Sequence, residues 1–267
     1  MPEKIGFIGI GSQGAPMAHR IKAAGMDLTV WARRPEALEA YIAQGCTTAP
    51  SVTELGSSCD HIGICVVTDA DVFQITDQLI PAMKQGSRIA IHSTILPESC
   101  ARLEAQCAAR GIGLIDGPVS GGSPAAKEGT LTVMCGGSAQ VFEACKPVFE
   151  TFGKLIVLLG PIGAGQNAKL INNATMAANM GIAHAALAVG AALAIDRAAL
   201  AELIEASSGR SYGFELYARL PSPAAFSIGG PLLVKDMKLL QAILPESADV
   251  DRLAGAASEF LAATSDR

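Results

Sequence analysis

The chain has 267 residues, half of them hydrophobic and 17% charged, so it can form a sizeable core and lacks the composition of a disordered protein. This length fits one large domain or two ordinary ones. The net charge of −5, without any segment rich in Lys and Arg, argues against a nucleic-acid partner.

In the first part of the chain, short apolar runs alternate with helical segments. Strands are predicted at Lys4–Ile8, Leu28–Trp31, Ile62–Val67, Arg88–Ile91, Ile112–Ile115, Leu131–Cys135 and Leu155–Leu159. Helices are predicted between several of these strands, at Gln13–Ala24, Pro35–Gln44, Asp71–Met83 and Pro97–Ala109. Because strands that alternate with helices form crossover units, the pattern predicts an α/β domain with a mainly parallel sheet between layers of helices.

The alternation stops at the glycine-rich segment 160–165, which suits a turn or a hinge. Every later periodic segment indicates helix, at Gln166–Ile195, Arg197–Ala206, Pro231–Ile243 and Asp249–Ala263. We therefore predict two domains, a Rossmann-type α/β domain over residues 1–161 and an all-helical domain over residues 162–267.

The long helix invites a comparison with a membrane span, because Leu170–Ile195 contains no Asp, Glu, Lys or Arg. Its apolar residues are mostly Ala, and it also contains two glycines, three asparagines and a histidine. That composition is typical of a helix packed closely against other helices, so no membrane association is expected. A helix that is apolar on nearly every face exposes more apolar surface than its own small domain can bury. A second copy of the chain is the simplest way to bury the rest. We therefore expect a homodimer, or a homotetramer built from such dimers.

The seven cysteines are scattered, odd in number and without a Cys-x-x-Cys pair. This pattern indicates reduced thiols rather than a disulfide framework or a metal site. The first residues show no basic region followed by a long apolar run, so no secretory signal is evident. We expect the protein to be cytoplasmic.

The segment Gly9-Ile10-Gly11-Ser12-Gln13-Gly14 fits the pattern G-x-G-x-x-G between the first predicted strand and the first predicted helix. In that context Gly9 permits a tight turn, Gly11 lets the backbone approach a pyrophosphate, and Gly14 lets the helix pack on the strand. Ser12 and Gln13 belong to the same loop, where the helix N-terminus offers N–H groups to phosphate. The alternative, a plain turn between strand and helix, explains the spacing less well.

The end of the second strand indicates which nucleotide is bound. An NAD-binding fold usually places an acidic residue there, but this chain has Ala32 followed by Arg33 and Arg34. Guanidinium groups suit a 2′-phosphate through their charge and planar donors, so NADP is favoured over NAD. The alternative is a solvated arginine pair at a strand end.

Three more motifs follow in order: Asp116-Gly117-Pro118-Val119-Ser120-Gly121-Gly122, Gly163-x-Gly165-x-x-x-Lys169-x-x-Asn172-Asn173 and Lys235-Asp236-Met237. Lys169 and Asn173 are four residues apart and share a helical face, which pairs an ammonium group that can exchange a proton with an amide that can hold an oxygen. With these motifs the chain resembles, over nearly its whole length, the β-hydroxyacid dehydrogenase family, which includes 3-hydroxyisobutyrate dehydrogenases and glyoxylate/succinic semialdehyde reductases.

The resemblance implies an NADP-dependent oxidoreductase that interconverts a small β-hydroxyacid and its semialdehyde. It implies Lys169 as general acid or base and Asn173 as a catalytic residue that also holds the substrate. Further roles are implied for two sets of residues. The substrate carboxylate would bind at Ser120, Gly121 and Gly122. The cofactor would contact Val66, Val67, Thr94 and Lys235, in addition to the glycine loop and Arg33-Arg34.

Alternatives remain at several positions. Lys235 is also compatible with a solvated helix residue, and Asp116 and Asp236 are more typical of structural partners than of catalysts. The family often has a glutamate about sixteen residues after its lysine, where this chain has Ala185 preceded by His184. We interpret His184 as a core or interface residue rather than a proton relay.

Related enzymes differ at the same motifs. A 6-phosphogluconate dehydrogenase would be expected to show Lys-x-x-His-Asn where this chain has Asn172, and an imine reductase usually replaces the lysine. An imine reductase-like enzyme and a catalytically silent NADP-binding protein of the same fold remain the competing hypotheses. The sequence does not identify the hydroxyacid or the physiological direction.

Overall fold

The computed structural model describes residues 2–264, and the chain forms two compact units, residues 1–169 and 170–267. The boundary between them therefore falls inside a long helix. The domain boundary predicted near residue 161 concerns parts of the chain that fold independently. A division into compact units does not test independent folding, so this boundary stays a prediction.

Within the described residues, the first unit contains one nine-stranded sheet. Its strands are β1 Lys4–Ile8, β2 Asp27–Trp31, β3 Thr47–Thr48, β4 His61–Ile64, β5 Arg88–Ile91, β6 Gly113–Asp116, β7 Val119–Ser120, β8 Leu131–Gly136 and β9 Gly153–Gly160. The order is β3-β2-β1-β4-β5-β6-β8-β7, and β9 pairs with β8. The first six strands are all parallel, whereas β8 runs antiparallel to β6 and β7. This is the strand order of a dinucleotide-binding fold, so the predicted fold class is confirmed.

Helices cover both faces of this sheet. They are α1 Gly14–Ala23, α2 Glu39–Ala43, α3 Val52–Ser58, α4 Asp69–Ala82, α5 Pro97–Ala108, α6 Gly122–Glu128 and α7 Ala139–Phe149. Phe7 of β1 packs in one core with Phe149 of α7, while the next residue, Ile8, packs in the other core with Leu79 of α4. Successive side chains of a strand point to opposite faces, so a strand between two helical layers is apolar on both sides.

Several bounds differ from the sequence-based expectations. The predicted strand Ile62–Val67 ends at Ile64, because Val66 leaves the sheet and donates its N–H to the Ser93 hydroxyl. The predicted helix Pro35–Gln44 is a 3₁₀ turn, Pro35–Leu38, followed by the short α2. The helix predicted from Asp71 starts two residues earlier, because Thr68 and Asp71 form a capping box.

Within its described residues, the second unit contains helices joined by turns and no strand. Its first helix, α8 Ala164–Ala192, begins in the first unit, and it is followed by α9 Arg197–Glu205, α10 Tyr212–Ala218, α11 Gly229–Ile243 and α12 Ala248–Ala263. A short 3₁₀ turn, Pro223–Phe226, precedes α11. The backbones of α8 and α12 lie very close together, since a side chain at Gly181 would come within 1.9 Å of the carbonyl oxygen of Ala256. The small residues of α8 therefore serve packing within this unit.

Helix α8 is 29 residues long and, by length and apolar composition alone, could cross a membrane. In the protein, 44% of its most apolar 18-residue window is buried. Ala177 and Met180 lie in the core of the second unit, whereas Ile182 and Val189 are exposed. A core helix of a water-soluble protein has this same character, so α8 is weak evidence for a membrane span.

Candidate active site

The carboxyl ends of the parallel strands form a crevice in the first unit. Strands β1 and β4 are neighbours, but the chain runs outward from them in opposite directions, which is the switch point where such sheets bind ligands. A cavity of about 360 Å³ lies there. Its lining includes Gly9, Ile10, Gly11, Arg33, Arg34, Val66 and Val67. The fold thus gathers at one edge most of the residues predicted from sequence to bind the cofactor.

The three glycines of the loop differ in what surrounds them. Gly9 has a φ of +92°, and a side chain there would come within 2.1 Å of the carbonyl oxygen of Cys65. A side chain at Gly14 would come within 2.0 Å of the carbonyl oxygen of Gly9. A side chain at Gly11 would meet nothing within 4 Å. The first and third glycines are thus required by the fold itself, whereas Gly11 leaves open space.

The loop also holds an amide that lacks a partner. The Gln13 Nε2 atom is buried and has no hydrogen-bond partner among the described residues. Buried donors are normally satisfied, so this one suits a ligand oxygen. Together with the space beside Gly11, it fits the pyrophosphate of a dinucleotide.

The guanidinium group of Arg33 reaches across the cavity to helix α4. Its Nη2 donates to the Asp71 Oδ1 at 2.9 Å and to the Gln74 Oε1 at 3.3 Å. The pKa of Asp71 is lowered by its hydrogen bond from the Thr68 hydroxyl and by its bond from Arg33. An acidic group therefore lines the same cavity as the two arginines, although it comes from α4 rather than from the end of β2. Sequence reasoning missed Asp71 because it is 38 residues away from Arg33.

The motif from Asp116 to Gly122 divides between two tasks. Asp116, the last residue of β6, is fully buried, and its carboxylate accepts the N–H of Gly163 at 2.6 Å and that of Gln166 at 2.8 Å. Burial raises the pKa of Asp116 to about 6, and backbone N–H donors act in the opposite direction. It anchors the start of α8, which is the structural role that its burial suits.

Gly163 and Gly165, which lie beside Asp116, allow neighbouring backbone segments to approach closely as well as allowing unusual backbone angles. A side chain at Gly165 would come within 2.2 Å of the carbonyl oxygen of Met134 and 2.7 Å of the Asp116 Oδ2. Gly163 has a φ of +88°, which favours glycine. The glycine-rich segment thus lets the first turn of α8 pack closely against the ends of β6 and β8.

The other part of the motif forms a sharp turn. Ser120 ends β7, Gly121 has a φ of +126° and Gly122, the first residue of α6, has a φ of +69°. Both glycines are exposed and Ser120 is half-buried. A side chain at Gly121 would come within 2.6 Å of the Ala125 methyl group, so the turn requires glycine.

The segment after β5 holds Thr94. Ser93 is buried and its hydroxyl accepts the N–H of Val66 at 2.8 Å. The side chain of Gln166, from α8, is fully buried and binds on both sides of Thr94, at the carbonyl of Ser93 and the N–H of Ile95. Sequence reasoning missed Gln166, although it is an amide inside the lysine motif.

Lys169 and Asn173 lie four residues apart on α8, as predicted. Lys169 is half-buried, and Asn173 is buried in the second unit. The Asn173 Nδ2 donates to the Asp236 Oδ2 at 2.6 Å, and its Oδ1 accepts from the Asn172 Nδ2 at 3.1 Å. The Asn173 amide therefore has a defined orientation.

Asp236 and Lys235 belong to α11. Asp236 is buried, and its Oδ1 lies 3.2 Å from the Lys235 Nζ. That contact lies outside hydrogen-bond geometry, so the pair is a close contact of opposite charges rather than an aligned bond. Lys235, half-buried, is thus placed one carboxylate away from Asn173. The assignment of Asp236 as a structural partner rather than a catalyst stays a prediction.

His184 is half-buried, and its Nδ1 lies 2.6 Å from the hydroxyl of Tyr217. The two rings also meet edge to face. These contacts place it among the packing residues of the second unit.

Comparisons with known proteins agree with this geometry. Residues 4–160 match the family model described as the NAD-binding domain of 6-phosphogluconate dehydrogenase, and residues 163–266 match the model described as NAD-binding of NADP-dependent 3-hydroxyisobutyrate dehydrogenase. The chain is 34% identical over 258 residues to an NAD-dependent L-serine dehydrogenase from Pseudomonas aeruginosa, covering 92% of this chain and 87% of that protein. The chain belongs to the β-hydroxyacid dehydrogenase family. As a member of that family it is an oxidoreductase that uses a nicotinamide cofactor.

Two further members illustrate the range of the family. The mitochondrial 3-hydroxyisobutyrate dehydrogenase of Drosophila melanogaster is 33% identical, with 90% of this chain and 78% of that protein covered. The solved structure of a Mycobacterium tuberculosis 3-hydroxyisobutyrate dehydrogenase with L-serine has the same fold, with a TM-score of 0.87, 24% identity, and 100% of this chain and 95% of that one covered.

Proposed function

We propose that this β-hydroxyacid dehydrogenase uses NADP to interconvert a small β-hydroxyacid and its semialdehyde, with Lys169 as the general acid or base. The observation that carries the proposal is that one helix, α8, bears Lys169 and the oriented amide of Asn173, and that its first turn is anchored at the edge of a dinucleotide-binding sheet. Relatives named for L-serine and for 3-hydroxyisobutyrate support a small hydroxyacid as substrate.

The cofactor cavity supports NADP. The open space at Gly11 and the Gln13 amide suit the pyrophosphate, and Arg33 and Arg34 suit a 2′-phosphate. Relatives use either nucleotide, since one family model is described as NADP-dependent and the Pseudomonas enzyme as NAD-dependent. The remaining residues assigned to the cofactor are Gly9, Ser12, Gly14, Val66, Val67, Thr94 and Lys235.

The bound nicotinamide supplies a hydride to the substrate carbonyl carbon in reduction and accepts it in oxidation. In reduction the Lys169 ammonium donates a proton to the carbonyl oxygen, which becomes the hydroxyl of the product. In oxidation the neutral amine of Lys169 accepts that hydroxyl proton. Asn173, whose amide is held by Asp236, is assigned to the substrate oxygen so that it lies in reach of Lys169.

The turn at Ser120–Gly122 is assigned to the substrate carboxylate. Its hydroxyl and its exposed glycine backbone provide donors with little steric bulk. This assignment restricts the substrate to small molecules that carry a carboxylate.

A panel assay tests the function. NADPH oxidation is followed at 340 nm with glyoxylate, succinic semialdehyde, tartronate semialdehyde and methylmalonate semialdehyde, and NADP⁺ reduction with L-serine and 3-hydroxyisobutyrate. Turnover with one of these and not with its decarboxylated analogue supports the proposal. Absence of turnover with the whole panel, from protein that binds NADPH, favours a silent binding protein instead.

We further propose that the protein is a homodimer, or a tetramer of such dimers, through the exposed side of α8. Ile171, Ile182 and Val189 are each more than half exposed and, at spacings of eleven and seven residues, lie along one helical face, and the exposed Leu193 follows directly after the helix. Light scattering at low micromolar concentration tests this. A stable, active monomer would contradict it.

The cytoplasm is the compartment we propose. Each of the seven cysteines, all within the described residues, is a free thiol. Burial raises the pKa of Cys65, Cys107, Cys135 and Cys145 to about 12, so these thiols are inert at neutral pH.

A further inference from the structure

Gln166 makes an unusual set of contacts for a side chain near the start of a helix. It is fully buried, its Oε1 accepts the N–H of Ile95 at 3.1 Å, and its Nε2 donates to the carbonyl of Ser93 at 2.9 Å. These are the two peptide groups that flank Thr94. One amide therefore binds the backbone on both sides of a single residue, as a neighbouring strand would.

The contacts continue in both directions from this amide. Ser93 accepts the N–H of Val66 through its hydroxyl, so the chain after β4 is joined to the chain after β5. The backbone N–H of Gln166 donates to Asp116 at 2.8 Å, so the first turn of α8 is joined to the end of β6. The ends of β4, β5 and β6 and the start of α8 are thus connected through the Gln166 side chain, its backbone N–H and the Ser93 hydroxyl.

We propose that Gln166 is a positioning residue, which fixes Thr94 against the first turn of α8 and thereby sets Lys169 relative to Thr94, a residue assigned above to the cofactor. Lys169 follows Gln166 by three residues, about 4.5 Å along the helix axis. The inference rests on the dehydrogenase function proposed above, because it assigns a purpose to the spacing between the proton donor and the hydride donor.

The chemistry of the amide explains why glutamine suits this position. The two peptide groups need one donor and one acceptor, which an amide supplies with a fixed separation. Methionine has a similar shape but offers neither. An ionised carboxylate offers only acceptors, which would oppose the carbonyl of Ser93, whereas a protonated carboxyl offers a donor and an acceptor as glutamine does.

The surroundings would favour the protonated form of such a carboxyl. Two titratable groups contact Gln166: Asp116, at the backbone N–H, and Cys100, whose thiol contacts the amide. Asp69 lies near Cys100 on the same side, and burial together with these two carboxylates keeps the pKa of Cys100 well above its usual value. A carboxyl group introduced here would have a raised pKa for the same reasons.

The test compares Gln166→Met and Gln166→Glu with a matched control, Thr76→Val. Thr76 is also fully buried and donates its hydroxyl to the carbonyl of Val72 within α4. We expect Gln166→Met to lower kcat by about 10²-fold, as for a small misplacement of reacting groups, with NADPH affinity within about twofold of wild type and a larger deuterium isotope effect from 4-deuterated NADPH. Thr76→Val should keep kcat. Gln166→Glu should regain activity relative to wild type as the pH falls from 8 to 5.5.

Hydrogen exchange tests the contacts of Gln166 with the backbone around Thr94 separately from the proposed dehydrogenase function. In Gln166→Met, which has no amide oxygen to accept the Ile95 N–H, the amide of Ile95 should exchange faster than in wild type, and in Thr76→Val it should not. Unchanged exchange, or an unchanged kcat in Gln166→Met, would overturn the inference. So would a loss of kcat that only parallels loss of folded protein or of NADPH binding. Wild-type protein without any turnover would instead refute the dehydrogenase function. The exchange data would still show whether the Gln166 side chain holds the backbone on both sides of Thr94. If Gln166→Met does not fold, the pH dependence of Gln166→Glu decides.

Discussion

Replacing Arg33 with alanine should weaken the binding of NADPH more than that of NADH. The Arg33 guanidinium lines the cavity, and Asp71 and Gln74 hold it there through a single nitrogen. A guanidinium has five N–H donors, so a 2′-phosphate can bind without displacing Asp71. Loss of a charge-assisted contact costs about 1–3 kcal/mol, which corresponds to about a 5- to 150-fold increase in the Kd of NADPH.

The exposure of Arg33 places the expected effect in the lower part of that range. Its side chain is 64% exposed, so salt screens the interaction. We therefore expect about a tenfold increase in the Kd of NADPH at 50 mM salt, a smaller increase at 500 mM, and little change for NADH. Protein fluorescence titrations of the wild type and the variant measure the Kd of NADPH and the Kd of NADH at both salt concentrations.

Asp71→Asn provides the companion variant, because it removes the negative charge beside Arg33 and keeps a similar shape. Removing that charge should improve NADPH binding by a few-fold and leave NADH binding nearly unchanged. Equal losses for both nucleotides in Arg33→Ala, or wild-type protein with equal kcat/KM for NADH and NADPH, would refute the reasoning. In that case Asp71 would be the acidic group that serves the ribose of NAD.

Three other predictions concern chemistry, recognition and stability. Lys169→Met should lower kcat by about 10²-fold or more and leave the Kd of NADPH close to wild type; a variant with most of its turnover would contradict the acid–base role. A semialdehyde acid should be reduced far more efficiently than its methyl ester, and equal kcat/KM values would remove the carboxylate role of Ser120. Burial lowers the pKa of His92 to about 4, so the unfolded chain binds a proton at this residue more readily than the folded protein does. The stability that the neutral His92 contributes is therefore complete above pH 6.5 and is lost as the pH falls toward 4. Between pH 7.5 and 5, urea titrations should show wild type losing about 2 kcal/mol more than His92→Phe, whereas equal losses would show that His92 is not protonated on unfolding.

The sequence predicted those parts of the protein that depend on local pattern. The composition of the long segment that forms α8 predicts a helix, and the position of Gly9–Gly14 between a strand and a helix predicts a dinucleotide-binding loop. The family models and the strand order confirm the fold that these patterns implied. Two-residue strands such as Val119–Ser120 were missed because so short a segment shows no periodicity. Domain limits and site roles stay predictions.

The contacts that organise the candidate site were beyond reach of the sequence for a different reason. Gln166 binds backbone groups 71 and 73 residues away, and Asn173 binds a carboxylate 63 residues away. The neighbouring sequence does not predict these partners, because a glutamine or asparagine looks the same in the sequence whether its side chain is buried or exposed. Only the fold makes Gln166 a bridge between segments.

The unequal surroundings of the loop glycines have a consequence for how such a sequence drifts over time. Gly9 and Gly14 would be retained by any descendant that still folds, because backbone carbonyls occupy the space where a side chain would go. Gly11 borders open space and is restrained only by what binds there. A lineage that abandoned its nucleotide would therefore be free to replace the middle glycine first. Among descendants of this chain, a loop with its outer glycines intact and a bulky residue between them would be the mark of a lost cofactor within a preserved fold.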